Sequence, residues 1–146
     1  MYERVLVATD GSESARRAVA HAVSLAAQVG ADLHAVAVVE TRTAYDNAIV
    51  DPEVVRENLR SEAEDALAEV RAAAEERGVP VTVQVTEGVP HERILAAIDD
   101  RGADLVVLGA TGRSAFKTAL LGSATTAVLR EASVPVVVVD GETEAD

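Results

Sequence analysis

Apolar runs of strand length alternate with helical patterns from one end of the chain to the other. Arg4-Val5-Leu6-Val7-Ala8-Thr9 reads as a first strand, and Asp10-Gly11-Ser12 as a turn able to cap a helix that starts near Glu13 and ends at Gly30. Leu33 to Val39 is a second strand. Beyond a polar and mixed stretch, Asp51-Pro52-Glu53 places proline at the first helical position, and this second helix runs to about Arg77 and stops at Gly78. Val81 to Thr86 alternates strictly as a third strand, Pro90 opens a third helix ending at Gly102, and Asp104 to Leu108 is a fourth strand. Gly109 begins a long loop, a fourth helix runs from about Ser123 to Ala132, and Pro135 leads into Val136-Val137-Val138-Val139.

Strands separated by helices imply right-handed crossovers, hence an α/β fold: a three-layer α/β/α sandwich around a five-stranded parallel sheet. The near-continuous apolar composition of strands one, four and five fits burial on both faces. The third strand mixes Val with Thr and Gln and belongs at an edge. Ligands of such sheets bind beyond the carboxyl ends of the strands, where the strand order reverses. The first strand ends in Thr9-Asp10-Gly11-Ser12 and the fourth in Gly109-Ala110-Thr111-Gly112, whereas Glu87-Gly88-Val89-Pro90 after the third is poorer in permissive residues. Strands one and four therefore flank the reversal, and the order is 3-2-1-4-5. Neither a repeat nor a linker divides the chain, so residues 1–140 form one domain and 141–146 an acidic tail.

Composition narrows the function. The 146 residues are 49% apolar, ample for one core, yet the aromatics are only Tyr2, Tyr45 and Phe116, against 28 alanines and 25 valines. That argues against stacking platforms for single-stranded nucleic acid. No cysteine is present, which removes disulfides, thiolate metal sites and cysteine nucleophiles. The opening residues carry no leader-type apolar segment, and no run approaches the roughly 18 apolar residues of a membrane span, so a soluble cytoplasmic protein is expected. A net charge of −12, with Lys117 the single lysine, repels phosphate backbones and anionic lipid, so neither nucleic acid nor membrane is an expected partner. This balance fits a protein of salt-rich cytoplasm and equally an acidic protein of a GC-rich genome.

The segment Gly109-Ala110-Thr111-Gly112, nine further residues, then Gly122-Ser123-Ala124-Thr125 suits a polyphosphate. Gly109 and Gly112 permit positive φ and close approach of main-chain N–H groups, and Gly122-Ser123 opens a helix whose free N–H groups form an anion site, with the Ser123 and Thr125 hydroxyls as added donors. Two turns and a helix cap would use the same residues. Neither Gly-x-x-x-x-Gly-Lys-Ser/Thr nor Gly-x-Gly-x-x-Gly occurs, which sets aside two nucleotide folds. Arg113 and Lys117 lie inside the loop as local positive charge. With a Debye length of about 8 Å at physiological salt and about 3 Å at 1 M, such local donors outweigh the global field, and affinity should hold or rise with salt.

The pattern Gly-x2-Gly-x9-Gly-Ser/Thr, with Asp closing the first strand, resembles the ATP-binding branch of the universal stress protein family, and the likeness covers Tyr2 to Val139. Gly109, Gly112, Gly122 and Ser123 match all four points. The sequence departs at Ala8, where relatives often carry proline, and at Ala110-Thr111, often Ser-His. The resemblance implies an adenine-nucleotide α-hydrolase-like, Rossmann-like fold and an ATP site. Ala8 and Asp10 would meet the nucleoside, the Val38 backbone adenine, Leu108 and Gly109 the ribose, and Gly112, Gly122, Ser123, Ala124 and Thr125 the phosphates. Thr9, Thr111 and Arg113, in the same strand ends and loop, complete the candidate set. An anionic Asp10 against phosphate would be repulsive, so it should meet ribose hydroxyls or act indirectly through Mg²⁺, unless it only orders its own turn.

The valine run at a sheet edge invites pairing, and the resemblance adds a homodimer through Val136, Val137, Val138 and Val139. The leading expectation is an ATP-binding, nucleotide-responsive dimer in the stress response, with at most slow hydrolysis. The alternatives are a nucleotide-cleaving or nucleotidyl-transferring enzyme of the same fold and an interaction module without nucleotide. No Gly-x-Ser-x-Gly elbow appears, and Ser114 and Ser123 have no base beside them in sequence. His21, His34 and His91 share no metal-ligand spacing and read as surface or packing residues. Glu40 and Asp46 could approach the phosphates from the loop after the second strand, and Tyr45 lies in a candidate lid spanning Thr41 to Val50.

Overall fold

The computed structural model describes residues 2–40, 51–111 and 121–140. Strands and helices alternate through them: β1 (Arg4–Ala8), α1 (Glu13–Val29), β2 (Asp32–Glu40), α2 (Pro52–Glu76), β3 (Val81–Gly88), α3 (Pro90–Arg101), β4 (Leu105–Gly109), α4 (Ser123–Glu131) and β5 (Val136–Val139). The sheet order is β3-β2-β1-β4-β5, every pair parallel, as the turn-rich ends of β1 and β4 imply. The acidic tail, 141–146, lies outside the described residues.

Element ends follow local chemistry. Ser12 Oγ accepts the Ala15 N–H at 3.2 Å and caps α1, while Gly30 ends that helix in the left-handed region. Asp51 Oδ1 accepts the Glu53 N–H at 3.0 Å ahead of α2, whose first turn carries Pro52. At the amino ends of the strands, the Asp104 carboxylate accepts the Glu3 and Arg4 N–H groups at 2.9 and 3.1 Å, joining β1 to the start of β4. β3 runs on to Gly88 because β2 offers a partner as far as Glu40. Gly109 completes β4 rather than opening the loop, paired in register with Val139.

Side-chain alternation along the strands splits the core in two. Val5, Val7, Leu33, Ala35 and Val107 face α1 and α2, while Leu6, Val36, Val106 and Leu108 face α3 and α4. The α1 stripe against the sheet is Ala15, Ala18, Val19, Ala22, Val23 and Ala26. Its spacing of three and four keeps one face inward, and its small side chains let the helix lie close to the strands. This closeness matters for the site.

His34 on β2 is buried, as the packing reading expects. Its Nδ1 lies 2.6 Å from Thr82 Oγ1 and its Nε2 3.0 Å from Gln84 Oε1, both on the neighbouring β3. With Gln84 Oε1 accepting, Nε2 carries the proton and Nδ1 accepts from the Thr82 hydroxyl. The alternating polar residues of β3 thus serve a buried ring as well as an edge. Among the described residues no helix is long and apolar enough to cross a membrane.

Candidate functional site

From β1 the chain crosses to β2 on one side, and from β4 to β5 on the other, so the crevice above β1 and β4 is the switch point of the sheet. The β1 end is a built turn. Thr9 N–H continues the ladder to Val36 C=O at 3.0 Å, Gly11 N–H donates to Thr9 Oγ1 at 3.2 Å, and Ser12 N–H donates to Asp10 Oδ1 at 2.9 Å. Gly11 holds φ +80°, a left-handed conformation natural to glycine. Asp10 therefore does order its own turn.

β2 overshoots β1. Their register ends at Ala8 opposite Val36, and the alternation that aims Val36 C=O at Thr9 aims the Val38 N–H and C=O the same way, past the last rung. Val38 thus presents main-chain polar groups over the end of β1. Glu40 closes β2 opposite Gly88, towards the outer edge.

On the other flank, the neck of the glycine loop is tied at four points. Ala110 N–H donates to Val139 C=O at 2.9 Å, Gly122 N–H to Ala110 C=O at 2.8 Å, Thr111 N–H to Ser14 Oγ at 3.2 Å, and the Thr125 hydroxyl to Gly109 C=O at 2.8 Å. Gly122 is the N-cap of α4 and makes no side-chain cap bond. The first intrahelical bond runs from Thr126 N–H to Gly122 C=O at 2.9 Å, so the amides of Ser123, Ala124 and Thr125 precede it and form the anion-favouring end of the helix.

Two expectations are corrected. Gly109 does not use positive φ; it is a strand residue, and glycine is required because α1 presses against it at Ser14. Thr125 is not an open donor, since its buried hydroxyl already gives its proton to Gly109 C=O. Ser123 stays exposed at the helix start. Leu108 is buried and Ala8 half-buried on the α3 and α4 face, beneath the crevice. Gly112, Arg113, Ser114, Lys117, Tyr45 and Asp46 lie outside the described residues. Ser14, buried in the first turn of α1, is the participant that sequence reasoning missed, for it meets Thr111 across 97 positions of chain. Among the described residues no group of three His, Asp or Glu is placed to hold a metal ion.

The sequence model of the universal stress protein family matches residues 1–140. The chain belongs to that family. A universal stress protein of Methanocaldococcus jannaschii is 34% identical to it over 140 residues, spanning 95% of this chain and 82% of that one. The solved structure of hypothetical protein MJ0577 from the same organism is 28% identical, covers 99% of each chain and superposes with a TM-score of 0.86. A universal stress protein solved in complex with cAMP is 29% identical, with a TM-score of 0.69 over 97% of this chain and 98% of that one. The Rossmann-like fold of this universal stress protein is thus the fold of its relatives, and its crevice is the one at issue.

Proposed function

We propose that this universal stress protein binds ATP with Mg²⁺ in the crevice between β1 and β4, as a homodimer joined along β5, and retains the nucleotide rather than turning it over rapidly. The observation that carries this reading is a convergence at two adjacent strand ends: the Asp10 turn on one side, and on the other a tied loop neck that delivers the first turn of α4, whose amides precede the first intrahelical bond. The Val38 main chain and Ala8 would meet adenine, Asp10 with Leu108 and Gly109 the ribose, and Gly112, Gly122, Ser123 and Ala124 the phosphates. Thr125 would shape the floor through its bond to Gly109. Mg²⁺ keeps several waters and takes few protein ligands, so an ion brought in on the phosphates, with Asp10 acting on it indirectly, fits this crevice. The cAMP complex of a relative supports the adenine-nucleotide class.

The test is to denature the purified protein, identify any released nucleotide by chromatography, and incubate the native protein with ATP and Mg²⁺. Retained, uncleaved ATP is the expected result. Prompt cleavage would replace this reading with a nucleotide-cleaving enzyme of the same fold. A protein empty on purification and indifferent to ATP would leave an interaction module.

A further inference from the structure

The buried stripe of α1 is alanine and valine except at Ser14, where a hydroxyl sits at 5% exposure in a place that alanine would fill as well. That hydroxyl has a use. Its oxygen accepts the Thr111 N–H at 3.2 Å, and the carbonyl of the same peptide group, Ala110 C=O, accepts the Gly122 N–H at 2.8 Å. One planar peptide is therefore held at both ends, by α1 through Ser14 and by the N-cap of α4 through Gly122. Gly109, immediately before it, leaves the space that lets Ser14 approach.

We infer that Ser14 is a positioning residue for phosphate recognition: it fixes the Ala110–Thr111 peptide as a cross-brace and so sets where the first-turn amides of α4 stand. This rests on the nucleotide reading above. Because each bond in the series polarises the next, losing the oxygen at one end loosens the Gly122 contact at the other. The effect falls on the phosphate end of the ligand, since the bonds of the brace run from Ser14 through the Ala110–Thr111 peptide to Gly122 at the start of α4, whereas Val38 lies on β2, on the far side of β1.

Calorimetric titration of Ser14→Ala with ATP and with adenosine tests this, alongside hydrogen exchange of the nucleotide-free protein. ATP should bind about fivefold more weakly, the scale of one neutral hydrogen bond, with adenosine unchanged. Thr111 and Gly122 amides should exchange faster in the variant. Equal losses for both ligands, or no loss for ATP, would overturn the positioning role. A wild-type protein that ignores both ligands overturns the proposed function instead, and the brace is then decided by exchange: unchanged protection at Gly122 sinks it. Ser14→Cys, a weak acceptor in the same place, substitutes if the alanine variant does not fold: ATP should bind it more weakly than the wild type with adenosine unchanged, and equal losses or no loss would overturn the role.

Discussion

Gly109 and Ser14 meet with no room for a side chain between them: a Cβ on Gly109 would lie 2.5 Å from Ser14 Oγ and 2.8 Å from both the carbonyl carbon and the carbonyl oxygen of Ser14. Two of those three contacts are to main chain, which cannot swing aside as a flexible side-chain tip does. Gly109→Ala should therefore destabilise the protein by about 1–3 kcal/mol through overpacking, read from urea unfolding. Adding Ser14→Ala to it should recover little, because the backbone contacts remain. A Gly109→Ala protein as stable as the wild type would mean that α1 does not press on β4 in solution.

The layered architecture is legible because β1 after Arg4, β4 and β5 are apolar, and because Ser12, Gly30 and the Asp51-Pro52 pair mark helix ends by local chemistry. The sheet order followed from the turn residues after β1 and β4. Reasons that depend on distant contacts were not legible. Gly109 looked like a residue chosen for torsional freedom, whereas its glycine answers to a helix that begins 96 positions earlier, at Glu13. Thr125 reads in sequence as a phosphate donor, yet its hydroxyl donates to Gly109 C=O, a partner 16 positions away. Thr82 and Gln84 looked merely wet, and only the register of β3 on β2 reveals that they bracket His34.

With both ligands titrated free of Mg²⁺, Asp10→Ala should weaken ATP more than it weakens triphosphate, by roughly tenfold or more, since without the metal the charge-assisted hydrogen bond is lost from the nucleoside side only. Asp10→Asn separates this from damage to the turn, because an amide oxygen can still accept the Ser12 N–H that Asp10 Oδ1 holds at 2.9 Å. Calorimetry with both ligands on both variants gives the answer. Equal losses for ATP and triphosphate would remove Asp10 from the ribose.

His34 makes stability depend on pH. Burial is the main influence and lowers its pKa below the ordinary 6.5; the hydrogen bond to Gln84 works against this, and the Arg101 charge adds to the lowering. About one pH unit or more above 6.5 the imidazole is essentially neutral in both folded and unfolded chains. As pH falls below that value the unfolded chain takes up a proton that folded His34 resists, so stability drops with pH. His34→Gln should lack this component while keeping the carboxylate contributions common to both proteins. Urea unfolding of the pair between pH 5 and 8, the range in which an ordinary His titrates, isolates the difference; parallel curves would contradict the burial-driven shift.

Pro135 C=O accepts from Val106 and Val139 C=O from Ala110, so the odd residues of β5 aim their main chain at β4. By strand alternation the N–H and C=O of Val136 and Val138 point outward, away from the sheet, where a second copy would pair. Val138→Pro removes one outward N–H and introduces a ring at the edge without taking any donor from the β4 ladder. If the homodimer forms along this strand, the variant should run as a monomer in light scattering while keeping a cooperative unfolding transition like that of the wild type. A control at Val137, whose main chain faces β4, should instead unfold the edge, because proline there deletes a bond inside the sheet. A dimer that survives Val138→Pro would have to be built on some other surface.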